Sequence, residues 1–170
     1  CLSSLLLQSY PNYEIIVVDN NSTDNSKNII KIFERRYKNL FYVFEPNVSR
    51  SCARNKGIII SKSEIIAMTD SDCVVPKGWL ECLTSSIINN NEEFVMGNEL
   101  PQKYTFWSLQ YQRFNQNLIK SSLIEPYIKH LDTKSFDFKR KYIINIGLFD
   151  PKIKNLEDFE LKLKIKKKKK

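Results

Sequence analysis

Two aspartates separated by one serine follow an apolar run in EIIAMTDSDC, residues 64–73. Such runs usually turn on glycine, asparagine or proline. Here Asp70 and Asp72 stand at the turn, and carboxylates this close repel each other unless a cation sits between or near them. Oxygen ligands suit Mg²⁺ or Mn²⁺, and Mg²⁺ typically takes one or two carboxylates together with substrate phosphates. The chemistry implied is a divalent cation carrying a diphosphate, although a bare Asp-x-Asp is more simply a solvated turn. Asp19 closes a second apolar run, YEIIVVD, and leads into NNSTD with Asn20 and Ser22, a turn with Ser22 as helix N-cap. Arg54 and Asn55 lie in ARNKG, and Glu157 and Asp158 open LEDFE, where acids complement a helix dipole.

The elements that must position these residues alternate. CLSSLLLQ opens inside a helix, with Leu2, Leu5 and Leu6 on one face. Strands are expected at 13–19, 40–45, 64–70 and 93–97. Helices are expected over STDNSKNIIKIFERRY (Ile29, Ile32 and Phe33 inward), SRSCARNKGIII (Ser49 at the cap) and KGWLECLTSSII (Trp79, Leu80, Leu83 and Ile87 inward). Residues 98–130 lose the pattern and gather aromatics. DTKSFDFKRKYIINIGLFD then reads as a strand and a short helix ended by Gly147, and EDFELKLKI as a last helix with Phe159, Leu161 and Leu163. Alternation of this kind implies an α/β domain, a mostly parallel sheet with helices on both faces. In such sheets ligands bind outside the carboxyl ends of the strands, where Asp19, Asp70 and Asp72 fall.

The chain has 170 residues, 42% of them hydrophobic, enough for one domain with a sizeable core. The net charge of +8 suggests a nucleic-acid partner until its distribution is seen: the last nine residues, KLKIKKKKK, hold seven lysines, and without them the balance is +1. No nucleic-acid partner is expected. Residues 1–165 form the domain, and 166–170 read as a solvated, mobile tail, with contact to an anionic membrane surface the lesser reading. No apolar run approaches the roughly 20 residues of a spanning helix. Cys1, Cys52, Cys73 and Cys82 show no metal or CxxC spacing and read as reduced thiols of a cytoplasmic protein. His130 reads as structural, Trp79 as core, and Trp107 as core or sugar platform in equal measure.

QSYPNYEIIVVDNNSTDNS, ARNKGIIISKSEIIAMTDSDC and GLFDPKIKNLEDFELKLKI, in that order, resemble the family 2 glycosyltransferases, inverting enzymes of the GT-A fold. The resemblance implies a GT-A, Rossmann-like sheet whose first strand would precede Cys1. It implies that Asp19, Asn20 and Ser22 hold the base and ribose of a nucleotide-sugar, expected to be a UDP-sugar. Asn20 stands where the family more often has Asp. Arg54 and Asn55 would bind the nucleotide or place the strand end. Asp72 would be the metal ligand and Asp70 the first DxD carboxylate, with Mg²⁺ or Mn²⁺ as cofactor. Asp158 would be the catalytic base, with Glu157 the lesser candidate. The implied acceptor is a glycan or glycoconjugate in cell-surface polysaccharide synthesis; the expected site of action is cytoplasmic, with peripheral contact at the inner face of the membrane the lesser reading.

Two alternatives stand beside this. DSDCV also matches the DxDx[TV] motif of haloacid-dehalogenase-type phosphatases, with Asp70 as nucleophile, though in that fold the motif belongs to the first strand and here two strands come before it. The other is a non-catalytic nucleotide-sugar-binding remnant. Ser135 replaces the Asn of the family's T-x-N-x-x-x-R pattern, and only lysines follow LEDFELKLKI where the family continues.

Overall fold

The computed structural model describes residues 1–97, 105, 107–110, 112–113 and 131–168. The aromatic region and His130 fall largely outside them. The elements run α1 (Leu2–Leu5), β1 (Ile15–Asp19), α2 (Ser26–Arg36), β2 (Leu40–Phe44), α3 (Arg50–Ile60), β3 (Ile65–Met68), α4 (Trp79–Asn90), β4 (Phe94–Met96), β5 (Phe136–Lys139), α5 (Arg140–Asn145) and α6 (Glu157–Lys168).

β1 and β2 pair in parallel, Ile15 opposite Leu40 and Asp19 opposite Phe44. β3, β5 and β4 form a second sheet in that order, and β5 runs antiparallel to both neighbours. The strand read at FDFK thus breaks the parallel pattern. All four residues of β3 are apolar yet only partly buried, and its edge away from β5 carries no strand among the described residues.

The main core gathers Ile58 of α3, Phe136 and Phe138 of β5, Ile143 of α5, Phe149, and Leu161 and Ile165 of α6. A smaller cluster seats Ile15, Ile30 and Leu40 against Leu2 and Leu5 of α1 and Leu6 just after it. A third joins Val75, Trp79 and Leu83. Trp79 is therefore core, and its indole N–H donates to Ser135 Oγ at 3.0 Å.

Two helices depart from the sequence reading. α2 begins at Ser26 rather than after Ser22, with Asn25 as its N-cap, and Asn21, at a left-handed φ of 62°, turns the chain ahead of it. Its buried residue is Ile30, while Ile29 and Ile32 are exposed. On α6, Leu161 and Ile165 face the core, and Phe159 and Leu163 face out. The helix also runs on through Lys166, Lys167 and Lys168, so the described part of the lysine run is ordered helix.

α3 sets the site. Ser49 caps it by accepting from the Cys52 N–H. Arg50, Arg54 and Ile58 recur every four residues and so share one face. Ile58 anchors that face in the main core, which leaves the two arginines pointing along it toward the start of α6. Gly57 faces β1, where a Cβ would meet Val18 Cγ2 at 3.4 Å, an ordinary contact distance.

Candidate functional site

At the carboxyl end of β1 the Asp19 side chain is buried. Its Oδ1 accepts from the Ser22 N–H at 2.8 Å and its Oδ2 from the Tyr42 hydroxyl at 2.9 Å. Burial works to raise its pKa, but these hydrogen bonds, with the nearby Lys27 charge, hold it below the usual value. Asp19 is therefore a fixed anion. The Asn20 amide donates to the carbonyls of Glu45 (3.1 Å) and Asn47 (2.7 Å), while its oxygen accepts from the Ser49 N–H (2.9 Å). Asn20 thus ties the end of β1 to the loop that starts α3. Ser22 is exposed beside them.

Asp70 lies just past β3, its side chain 41% exposed, and its carbonyl accepts from the Cys73 N–H at 3.1 Å. Asp72 is exposed on the same turn. The Thr69 hydroxyl beside them is buried and lies near the Cys73 thiol. Among the described residues no group of three or more His, Cys, Asp or Glu could hold a metal ion. The pair supplies two carboxylates and no third acidic ligand.

Arg54 links this turn to the start of α6. Its Nη1 donates to Glu157 Oε1 at 2.7 Å and to Asp158 Oδ1 at 3.1 Å, and its Nη2 stands 3.8 Å from Asp70 Oδ1. Its guanidinium also covers the Phe149 ring at 5.5 Å. Glu157 is 3% exposed in its side chain and Asp158 is 30% exposed. Burial would raise the Glu157 pKa, but its own backbone N–H and the charges of Arg54 and Arg50 bring it below normal. Asp158 goes the other way. Desolvation raises it, Arg54 opposes, and the Glu157 charge adds to the rise. Two adjacent carboxylates thus take opposite characters, one a locked anion and one readier to hold a proton. Asn55 pairs through both amide atoms with the Phe149 backbone, at 2.7 and 3.0 Å, and so pins the loop before α6 to α3.

The structure therefore gathers Arg54, Asp70 and Asp158 into one group and Asp19, Asn20 and Ser22 into another. Both lie around the start of α3. Sequence reasoning missed Tyr42, which faces Asp19 across the β1–β2 pair. Its only signal was the alternation in LFYVF. It also missed the anchoring of Arg54 by Glu157, which joins residues about a hundred positions apart. Trp107 is 78% exposed, in a helical stretch at 107–110.

Residues 1–146 match the model of Glycosyl transferase family 2. That span holds every candidate residue except Glu157 and Asp158. Glycosyltransferase AglE of Haloferax volcanii is 40% identical over 101 residues, covering 58% of this chain and 33% of that protein. Among solved structures, S. aureus TarS 1–349 in complex with UDP superposes with a TM-score of 0.73 at 20% identity, over 95% of this chain and 48% of that one. The mannosyltransferase PcManGT of Pyrobaculum calidifontis, in complex with GDP-Man and Mn²⁺, gives 0.75 at 20% identity, over 94% and 45%. The fold is therefore the GT-A fold, and the chain spans a third to a half of the length of these proteins.

Proposed function

The chain belongs to glycosyl transferase family 2, and from that premise we propose that it transfers a sugar from a nucleotide donor to an acceptor hydroxyl with inversion. One observation carries the reading: Asp158, part-exposed and with a raised pKa, shares the Arg54 guanidinium with Asp70 at a strand end. A candidate proton acceptor and a candidate diphosphate site thus stand one side chain apart. Asp19, Asn20 and Ser22 at the end of β1 receive the base and ribose. UDP is the expected nucleotide. TarS was solved with UDP, and PcManGT with GDP-Man, so the base is the first thing to assay.

The donor set fits a hard cation. Asp70 and Asp72 offer carboxylate oxygens only, which suits Mg²⁺ or Mn²⁺. A cation held by them would offset charge on the departing diphosphate. The protein's own step is proton removal. As the acceptor oxygen attacks the anomeric carbon, its proton passes to Asp158. The bond from that carbon to the phosphate oxygen breaks, and its electron pair leaves with the nucleoside diphosphate. Direct displacement needs no enzyme nucleophile.

The acceptor is a glycan or glycoconjugate of the kind built in cell-surface polysaccharide synthesis. No helix of the described residues is long and apolar enough to cross a membrane. The proposed site of action is cytoplasmic, with peripheral membrane contact through the lysines of α6.

A donor-and-acceptor screen on the full-length protein tests the reading, with UDP affinity measured in parallel. Asp158→Asn keeps the shape but cannot accept the proton, so turnover should fall roughly 10²–10⁴-fold while UDP affinity stays within about twofold. Near-full turnover would remove Asp158 as base. Loss of both would make LEDFE a structural cap. Phosphate release without sugar transfer would favour the phosphohydrolase alternative at Asp70.

A further inference from the structure

We infer that Arg54 is a positioning residue which, anchored by Glu157, presents the Asp158 carboxylate to the acceptor and couples it to Asp70. The inference rests on the proposed function, since it gives Arg54 a role only if Asp158 is the base. It differs from the sequence expectation, in which Arg54 and Asn55 bind the nucleotide or place the strand end.

Three observations carry it. First, the Arg54 side chain is only 13% exposed and its shortest contact, 2.7 Å, is to Glu157. Glu157 is the more buried partner, and a buried carboxylate stripped of its cation is strongly unfavourable. Arg54 therefore does not leave Glu157 to follow a ligand. Second, the same Nη1 that holds Glu157 bonds Asp158 Oδ1 at 3.1 Å. The Thr133 hydroxyl lies beside the Asp158 carboxylate and lowers its pKa, and the Asp158 side chain stays 30% exposed. Asp158 is thus held by Arg54 yet open to an acceptor hydroxyl. Third, the guanidinium is itself fixed from below. Its Cζ lies over the Phe149 ring, 5.5 Å from the centroid, and Asn55 holds the Phe149 backbone to α3. A planar, permanently charged fork with five donors suits this three-carboxylate junction, and lysine reproduces the charge without the fork. Arg50, 3.5 Å from Glu157 Oε1 and largely exposed, is the outer support.

The arrangement makes Glu157 an anchor, not a second base. It also explains in physical terms why the two acids stand side by side. Glu157 has to be buried to fix the arginine, and Asp158 has to remain open.

The test separates binding from turnover in the full-length protein. Affinity for UDP with Mn²⁺ is measured by calorimetry, and kcat and donor KM in a sugar-transfer assay, for wild type, Arg54→Lys, Arg54→Met and the double variant Arg54→Met/Glu157→Gln. The double variant removes the buried charge along with its partner, so a folded protein remains even if Arg54→Met unfolds. A positioning role predicts that kcat falls on the order of 10²-fold in the Met variants, with UDP affinity and donor KM changed by no more than about twofold. Arg54→Lys should recover part of kcat. A tenfold or larger loss of UDP affinity would make Arg54 a nucleotide ligand and overturn the inference, as would unchanged kcat or a Lys variant no better than Met. Wild type that binds UDP but transfers no sugar would overturn the catalytic reading itself and this role with it. That outcome differs from active wild type with active variants, which overturns the Arg54 role alone.

Discussion

Asp137 shows what a single residue can do against its own strand. It sits in mid-β5, paired on both sides, with Phe136 and Phe138 buried on the opposite face. It is fully buried, neither carboxyl oxygen has a hydrogen-bond partner, and burial pushes its pKa from 3.8 up to about 8. The folded-state value lies above the unfolded one, so the folded chain binds more protons between the two. The penalty is absent below 3.8, grows as pH rises, and is complete above about 8. Asp137→Asn should therefore unfold at a higher temperature than wild type at pH 8, with the gap closing toward pH 4. Melting curves across that range check it, and a gap independent of pH would contradict it. The residues with candidate chemistry were legible because strand ends and the Asp-x-Asp spacing are local features. Tyr42 and the Arg54–Glu157 contact were not, because they join residues far apart in the chain.

At the scale of elements, α6 starts under strain. Leu156 takes a left-handed φ of 65° immediately before Glu157, and its side chain is 73% exposed, so packing does not hold it there. An L-residue in that conformation costs about 1–2 kcal/mol. Glycine removes that cost and adds roughly 0.5–1 kcal/mol of backbone entropy loss. Leu156→Gly should therefore stabilise by a few tenths to about 1 kcal/mol, a melting-temperature rise of about 1–4 °C for a domain of this size. A fall would show that the exposed leucine packs. β1, β2, β3, α3 and α4 follow their sequence patterns, since runs such as EIIVV and a Ser49 cap specify local structure. The direction of β5 could not be read, because parallel and antiparallel pairing give the same two-residue period. The start of α2 was misread because Ser22 is a good cap by type, yet Asn21 turns the chain and Asn25 takes the cap.

Across the whole molecule the charge and the chemistry lie apart. Lys166, Lys167 and Lys168 are exposed at the end of α6, and Lys168 lies over the ring of Tyr142 at 5.5 Å. Removing residues 166–170 should shift stability by less than about 1 kcal/mol. If these lysines touch membrane, the same truncation should weaken sedimentation with anionic vesicles. A larger stability loss would show that the lysines pack. The central claim is that the strand ends of this chain hold a nucleotide diphosphate through a cation at Asp70 and Asp72. Calorimetric titration of UDP into wild type and Asp72→Ala, with and without Mn²⁺, tests it most directly. The account predicts that Mn²⁺ tightens UDP binding to wild type by about tenfold or more, some 1.4 kcal/mol, and that Asp72→Ala folds normally but loses that gain. Equal UDP binding by both proteins, with or without Mn²⁺, would contradict it.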